Sequence, residues 1–403
     1  MTLKATLLIA TAALTIGFAA PTPAFAQISG DTIKIGLLGD MSGPASDYGG
    51  SGAAEAMKMA IEDIGGSING KKIELLTFDH QNKADVAANK AREWLDQQGV
   101  DTILVIGSSA AALSAAKIAW EKKKVYISNS ASIRLTNEEC TPYSIRWTTD
   151  TVALANGTGG AVIRQGGKSW FFLTMDLAFG TSMEADTTRV IKSAGGTVAG
   201  SVRHPLSASD FSSFLLQAQA SRAEILGLAT AGSDFVNVIK AANEFGVTKN
   251  MKMAALLMYI NEVHALGLPL TQNMYLTDSW YWDQSPESRQ WSKRFFDKMK
   301  KMPSSLQASN YSAIYQYLSA VKAIGTDDAD KVMAKMRATK FNDMYAKNGT
   351  LRPDGSMVQD VYLMQVKSPA ESKAPWDYLK VLQVIPGDQA YTPKSETKCQ
   401  FWK

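Results

Sequence analysis

Strand-like and helix-like segments alternate along this chain, and the alternation restarts after Asp150. Asp31 to Gly39 begins as an alternating pattern and ends as a buried apolar run, a first strand that Gly43-Pro44 breaks. Ala54, Met57, Ala60, Ile61 and Ile64 recur at helical spacing within Ser51 to Ile64. Asn69-Gly70 is a hairpin-type turn leading into an alternating strand, Lys72 to Phe78. Helix Ala84–Gln97, strand Thr102–Ile106, helix Ala110–Glu121 and strand Val125–Ile127 follow. Beyond Asp150 the strands are Trp170–Leu173, Gly200–His204, Ile225–Leu228 and Lys252–Leu257. Helices Ser182–Ala194, Phe211–Ala220 and Asp234–Phe245 lie between them. Strict alternation of this kind predicts parallel sheets covered by helices, here in two units of similar size. The halves share architecture and no evident sequence repeat. A strand from Met274 to Thr277, helices near 285–300 and 309–324, and strands 358–366 and 379–384 complete the chain.

The first 26 residues read as a leader. One charge, Lys4, precedes an apolar run from Ala5 to Ala20, and Ala24-Phe25-Ala26 supplies a small-x-small cleavage site. The run falls short of the roughly 20 residues that span a bilayer. No cysteine stands at the cut to take a lipid. The mature protein is therefore expected to begin near Gln27, outside the cytoplasmic membrane. About 377 residues remain, a length suited to two domains. The formal charge of +4 drops to about +3 with the loss of Lys4. The short runs Lys122-Lys123-Lys124 and Lys300-Lys301 read as solvated helix ends, and nucleic-acid binding is not supported. Cys140 and Cys399 are the two cysteines, and an even count in an oxidising compartment predicts a disulfide clasping the C-terminal tail to the first domain. The histidines are His80, His204 and His264, none at ligand spacing from a cysteine, so neither metal nor cofactor is expected.

In open parallel sheets, ligands sit outside the carboxyl ends of the strands. There the sequence is rich in small polar residues. Ile106-Gly107-Ser108-Ser109-Ala110-Ala111 passes from strand to helix, and the N–H groups of that helix start, with the Ser109 hydroxyl, form an anion site. Ser128-Asn129-Ser130-Ala131-Ser132 adds hydroxyls after the next strand. Such serines also cap helices for structural reasons; two serine loops in one unit favour a ligand carboxylate.

The segment Gly39-Asp40-Met41-Ser42-Gly43-Pro44-Ala45-Ser46-Asp47-Tyr48-Gly49 resembles the opening of the branched-chain amino-acid type periplasmic binding proteins of ABC transporters. Ala53, Ala56, Ala60, Asn69-Gly70-Lys71, Asp79, Ser132 to Thr136, Phe179-Gly180, Asp210 to Ser213 and Ala242 to Gly246 extend the likeness over essentially the whole mature chain. The resemblance implies two Rossmann-like lobes joined by a three-segment hinge. Lobe 1 would be 28–149 plus 280–346, lobe 2 150–279 plus 347–385, and 386–403 a tail tied to lobe 1. It also implies a monomer that traps a small ligand by hinge closure and delivers it to membrane permease subunits. Residue by residue, it assigns Tyr48 to the cleft edge, Ser109 and the Ala110 N–H to the ligand carboxylate, and Ser130 and Ser132 to further contacts with it. Phe179 would cover the ligand from the second lobe.

Two departures bear on the ligand. The resemblance implies that amino-acid binders hold the α-ammonium with an acid or a tyrosine of the second lobe, and the matching regions Ala229-Thr230-Ala231-Gly232 and Leu257-Met258-Tyr259-Ile260 carry no carboxylate. A buried ammonium without a partner costs several kcal/mol. Asp176 and Asp234 are nearby acids that could supply the charge or merely cap helices. Trp280-Tyr281-Trp282 cannot all face one side of a strand. One or two would face the cleft, Trp282 among them, and with Tyr48, Phe179 and Met258 form an apolar slot; packing between lobes is the alternative. Ser169 to Thr174 and Ser279 to Asp283 are also similar to an aromatic-acid-binding subgroup. The expected ligand is an aromatic or other apolar acid, with a branched-chain amino acid or an amide or urea as the alternative. A sensing module for a signalling partner is the reading of another class. No nucleophile elbow, Walker loop or zinc motif points to an enzyme, and in Asp79-His80 the neighbouring side chains leave opposite faces of a strand.

Overall fold

The computed structural model describes residues 27–403; the leader read at 1–26 lies outside the described residues. The first sheet has the order β2-β3-β1-β4-β5-β6. Its strands are β1 Thr32–Gly39, β2 Ser67–Ile68, β3 Lys71–Asp79, β4 Thr102–Ile106, β5 Val125–Asn129 and β6 Ser144–Arg146. All pairs are parallel except β2 with β3. That hairpin closes over Asn69-Gly70, both at positive φ, 51° and 80°, as a tight hairpin turn requires. Ile33, Ile35, Leu37 and Leu38 of β1 are fully buried, the signature of a strand covered on both faces.

The second sheet has the order β10-β9-β7-β8, all parallel, with β7 Ser169–Met175, β8 Thr197–His204, β9 Ile225–Ala229 and β10 Lys252–Ala255. β8 alternates exposed and half-buried because it is an edge, whereas β9 is buried throughout. Then come β11 Tyr275–Asp278, a ribbon of β12 Thr350–Leu351 and β13 Met357–Val358, and β14 Val361–Val366 and β15 Leu379–Ile385. β11, β14 and β15 make an antiparallel sheet. After β11 the chain returns to the first sheet: helices Pro286–Met299 and Ser305–Ile324 pack on helix Ser51–Ile64. Arg294 grips Asp63 with two bonds of 2.9 and 2.8 Å, and the Tyr311 hydroxyl donates to the same carboxylate. Helix Ser305–Ile324 begins before the expected 309 because Ser304 and Gln307 form a capping box.

Among the pieces that escape the sequence pattern are β6, helix Ile260–Leu266, helix Ala329–Arg337 and the helical passage from Thr151 to Arg164. β6 is three residues long, too short to show a period. The passage carries a π turn at Ala155–Gly159, where it crosses β11 so closely that a Cβ on Gly157 would lie 2.2 Å from Thr277 Oγ1. At its start Asp150 accepts from Ala153 N at 2.7 Å and pairs with fully buried Arg146 at 2.6 Å. The expected disulfide Cys140–Cys399 is formed, with Cα atoms 5.6 Å apart. Beside it Trp402 lies under Arg352, and Phe401 meets Trp120 edge-on.

Candidate ligand cleft

The carboxyl ends of the two parallel sheets face one cleft. Pro44, Ala45 and Tyr48 reach it after β1, Gly107 to Ala110 after β4, and Asn129, Ser130 and Ala131 at the end of β5. From the second sheet come Met175, Leu177 and Phe179 (β7), Leu206 (β8), Ala231 (β9) and Leu257 and Tyr259 (β10), with Asn82 and Leu306 completing the lining. The space open to the centres of water molecules is about 70 Å³, several times what one water needs.

One wall combines a helix start with two serine hydroxyls. Ser108 caps helix Ser109–Glu121, its hydroxyl accepting from Ala111 N at 3.3 Å. The N–H groups of Ser109 and Ala110, the helix's first two residues, have no intrahelical acceptor, and the helix dipole adds partial positive charge there. Ser109 Oγ and Ser130 Oγ lie 2.7 Å apart, both buried. The turn into this helix needs Gly107, at φ +93°, where a Cβ would sit 2.9 Å from Asp40 Cβ.

Among the described residues, no Asp, Glu, Lys, Arg or His belongs to the lining. Tyr48 and Tyr259 meet edge to face at 5.4 Å, and burial pushes both phenols well above their ordinary range, so they stay protonated. The acids nearby are engaged behind the lining. Asp40 accepts from Gly43 N, Ala45 N and Asn82 Nδ2 and so shapes the loop after β1. Asp234 accepts from Ser207 N at 2.9 Å, and Asp176 lies in the open 3.9 Å from Arg203. Neither lines the cleft. The sequence reading overlooked Glu262. Its carboxylate, buried behind Tyr259, accepts from Tyr259 N at 2.9 Å, and burial pushes it up to about 7.

Of the residues expected at the site, Tyr48, Ser109, Ala110, Ser130 and Phe179 come together; Ser132, Met258 and Trp282 fall outside the lining. Ser132 Oγ instead sits 3.3 Å from Ser182 Oγ. Met258 packs into the core of the second unit while its neighbours Leu257 and Tyr259 turn to the cleft. Trp282 and Tyr281 both donate to the Trp376 carbonyl, and Trp280 to Ser288 and the Met344 carbonyl. All three aromatics are therefore packing residues. Tyr259, Asn129, Asn82, Leu177, Leu206 and Leu306 were not anticipated; alternation past β10, which turns 257 and 259 to one side, was the available signal for Tyr259.

The two units also touch at the rim. Ser233 N donates to the Pro44 carbonyl at 3.0 Å, and Asn261 Nδ2 to Asp47 at 3.0 Å.

A family model described as periplasmic binding protein matches residues 32–373. The chain belongs to that family. A periplasmic binding protein from Burkholderia mallei is 60% identical, with a TM-score of 0.91, over 93% of this chain and 100% of its own. A branched chain amino acid ABC transporter periplasmic ligand-binding protein from Burkholderia xenovorans is 38% identical, with a TM-score of 0.80, over 92% and 100%. A solute binding protein of an ABC transporter from Rhodopseudomonas palustris, in complex with 3,4-dihydroxy benzoic acid, is 22% identical, with a TM-score of 0.80, over 89% and 98%; that is a likeness of fold. This periplasmic binding protein is thus a ligand-binding receptor of the ABC-transporter type.

Proposed function

We propose that this receptor captures a small apolar or aromatic carboxylic acid outside the cytoplasmic membrane and delivers it to permease subunits. The observation that carries the reading is the pairing of an anion seat with a lining that holds no ionised side chain. A carboxylate at the seat receives the Ser109 and Ala110 N–H groups and one hydroxyl of the bonded Ser109–Ser130 pair, a set of charge-assisted bonds. Met175, Leu177, Phe179, Leu206, Leu257 and Leu306 then cover an apolar body. Lobe 1 (28–149 plus 280–346) holds the carboxylate, and lobe 2 (150–279 plus 347–385) closes over it through the three-segment hinge. The compartment follows from a leader cut before Gln27, and the working unit is a monomer.

A second reading draws on Glu262. If its carboxylate turned into the cleft it could hold an α-ammonium, and the ligand would be a branched-chain amino acid. A thermal-shift screen of the mature, ligand-stripped protein separates the two. A ligand at 100 times its Kd adds about 2.7 kcal/mol, a shift of a few degrees. Benzoate or 4-methylpentanoate is expected to raise Tm while leucine, acetamide and urea do not. A response to leucine alone would move the assignment to the second reading.

A further inference from the structure

The cleft contains an amide whose hydrogen bonding is left incomplete by the protein itself. Asn129, at the end of β5, is 2% exposed and belongs to the lining. Its Nδ2 donates to Oδ1 of Asn310, on helix Ser305–Ile324. That bond leaves Asn129 Oδ1 and Asn310 Nδ2 buried with no protein partner. Exchanging O and N in both amides preserves the bond and merely swaps which kind of group is left over. In either orientation one buried polar group of Asn129, a residue of the lining, stays without a protein partner. In the other lining amide, Asn82, Nδ2 donates to Asp40 Oδ2 and the Gly107 carbonyl, each at 3.3 Å. The Tyr48 hydroxyl likewise has no protein partner among the described residues, although the residue is 5% exposed.

A hydrocarbon body packed into this cleft would leave those groups buried and unpaired, which is the costly outcome for a polar group. A body carrying its own hydroxyl or oxo group would pair with them. Sites built to bond a ligand hydroxyl discriminate strongly against the analogue that lacks it.

We infer that Asn129 is a specificity-determining residue whose free amide group bonds a hydroxyl or oxo substituent of the ligand, so that the cleft selects hydroxylated or oxo carboxylic acids over their hydrocarbon parents. This rests on the acid-receptor reading and narrows its ligand class. The test is calorimetric titration of matched pairs: benzoate against 2- and 4-hydroxybenzoate, and 4-methylpentanoate against its 2-hydroxy and 2-oxo derivatives. In the wild type at least one substituted acid is expected to bind 10-fold or more tightly than its parent. The double variant Asn129→Leu/Asn310→Leu replaces both amides by similar-sized apolar groups, the substitution least costly to folding. There the preference should shrink to about 3-fold or less. Equal binding within every wild-type pair would overturn the inference while leaving the acid-receptor reading intact, and that result needs no variant to fold. A preference that survives in the folded double variant would also overturn it. Failure of all the acids to bind would remove both readings together.

Discussion

In the proposed acid-receptor reading Ser109 carries more of the site than any other residue, because its N–H, its hydroxyl and the helix start it occupies would serve one anion. Ser109→Leu is expected to abolish acid binding, at least 100-fold by calorimetry, with a far-UV spectrum like that of the wild type. Retained affinity would mean that the carboxylate sits elsewhere. Glu262 gives a different signal. Its folded pKa of about 7 stands above the ordinary 4.5, so the folded state keeps a proton that the unfolded chain releases. Stability is thus lost as pH rises between those values, by up to about 3 kcal/mol. Asp278, also raised to about 7 by burial, acts in the same direction. His80 and His204, lowered by burial, act in the opposite direction below their ordinary pKa. Comparing wild type with Glu262→Gln cancels these shared contributions. From pH 5 to pH 8 the wild type should lose stability relative to the variant in denaturant titrations; parallel profiles would show that Glu262 is solvated. The serines were legible because they follow strand ends, where backbone N–H groups are exposed. Glu262 and Asn129 were not, since their roles depend on what packs against them from elsewhere in the chain.

At the scale of elements, helix Gly232–Glu244 starts against the loop after β1. Gly232 has φ +62°, and a Cβ there would lie 2.2 Å from the Pro44 carbonyl oxygen. The neighbouring Ser233 N–H bonds that oxygen. Gly232→Ala should therefore oppose approach of the two units more than it disturbs either one. The positive φ itself costs roughly 1 kcal/mol for a residue with a Cβ. The expected result is ligand affinity weakened by 10-fold or more, and a radius of gyration in solution scattering that no longer contracts when the acid is added. Normal contraction would show that the contact yields without cost. Long elements such as Ser51–Ile64 and Thr102–Ile106 were readable because each buries a continuous stripe or run. The third sheet was read as separate strands, because its members β11, β14 and β15 come from opposite ends of a long insertion and pair only through tertiary packing. The π turn at Ala155–Gly159 was hidden for a related reason: Gly157 within it packs against Thr277, 120 residues away in sequence.

For the whole molecule, the longest covalent constraint is Cys140–Cys399, with a sequence separation of 259. A loop of that size restricts the unfolded chain by roughly 5 kcal/mol in the entropy model, though measured effects usually reach only about 2–4 kcal/mol. The tail it fixes does more than contact Trp120, Asn137 and Cys140. The Ala390 carbonyl accepts from Asn156 Nδ2, inside the passage between the units, at 3.1 Å, and the Thr392 carbonyl accepts from Arg352. None of residues 386–403 lines the cleft, so the tail makes no direct contact with a ligand held there, and the proposed hinge is the route by which it would influence binding. Cys140→Ser/Cys399→Ser is expected to lower stability by about 2–4 kcal/mol in denaturant titration. Two outcomes for affinity then separate two roles. If affinity stays within about 3-fold, the clasp acts on folding alone, which we expect because the ligand contacts and the Pro44–Ser233 contact are untouched. A larger change with an intact fold would require the tail to bias the angle between lobes, and Asn156→Ala, which releases the tail's hold on the crossing while keeping the disulfide, should then reproduce it.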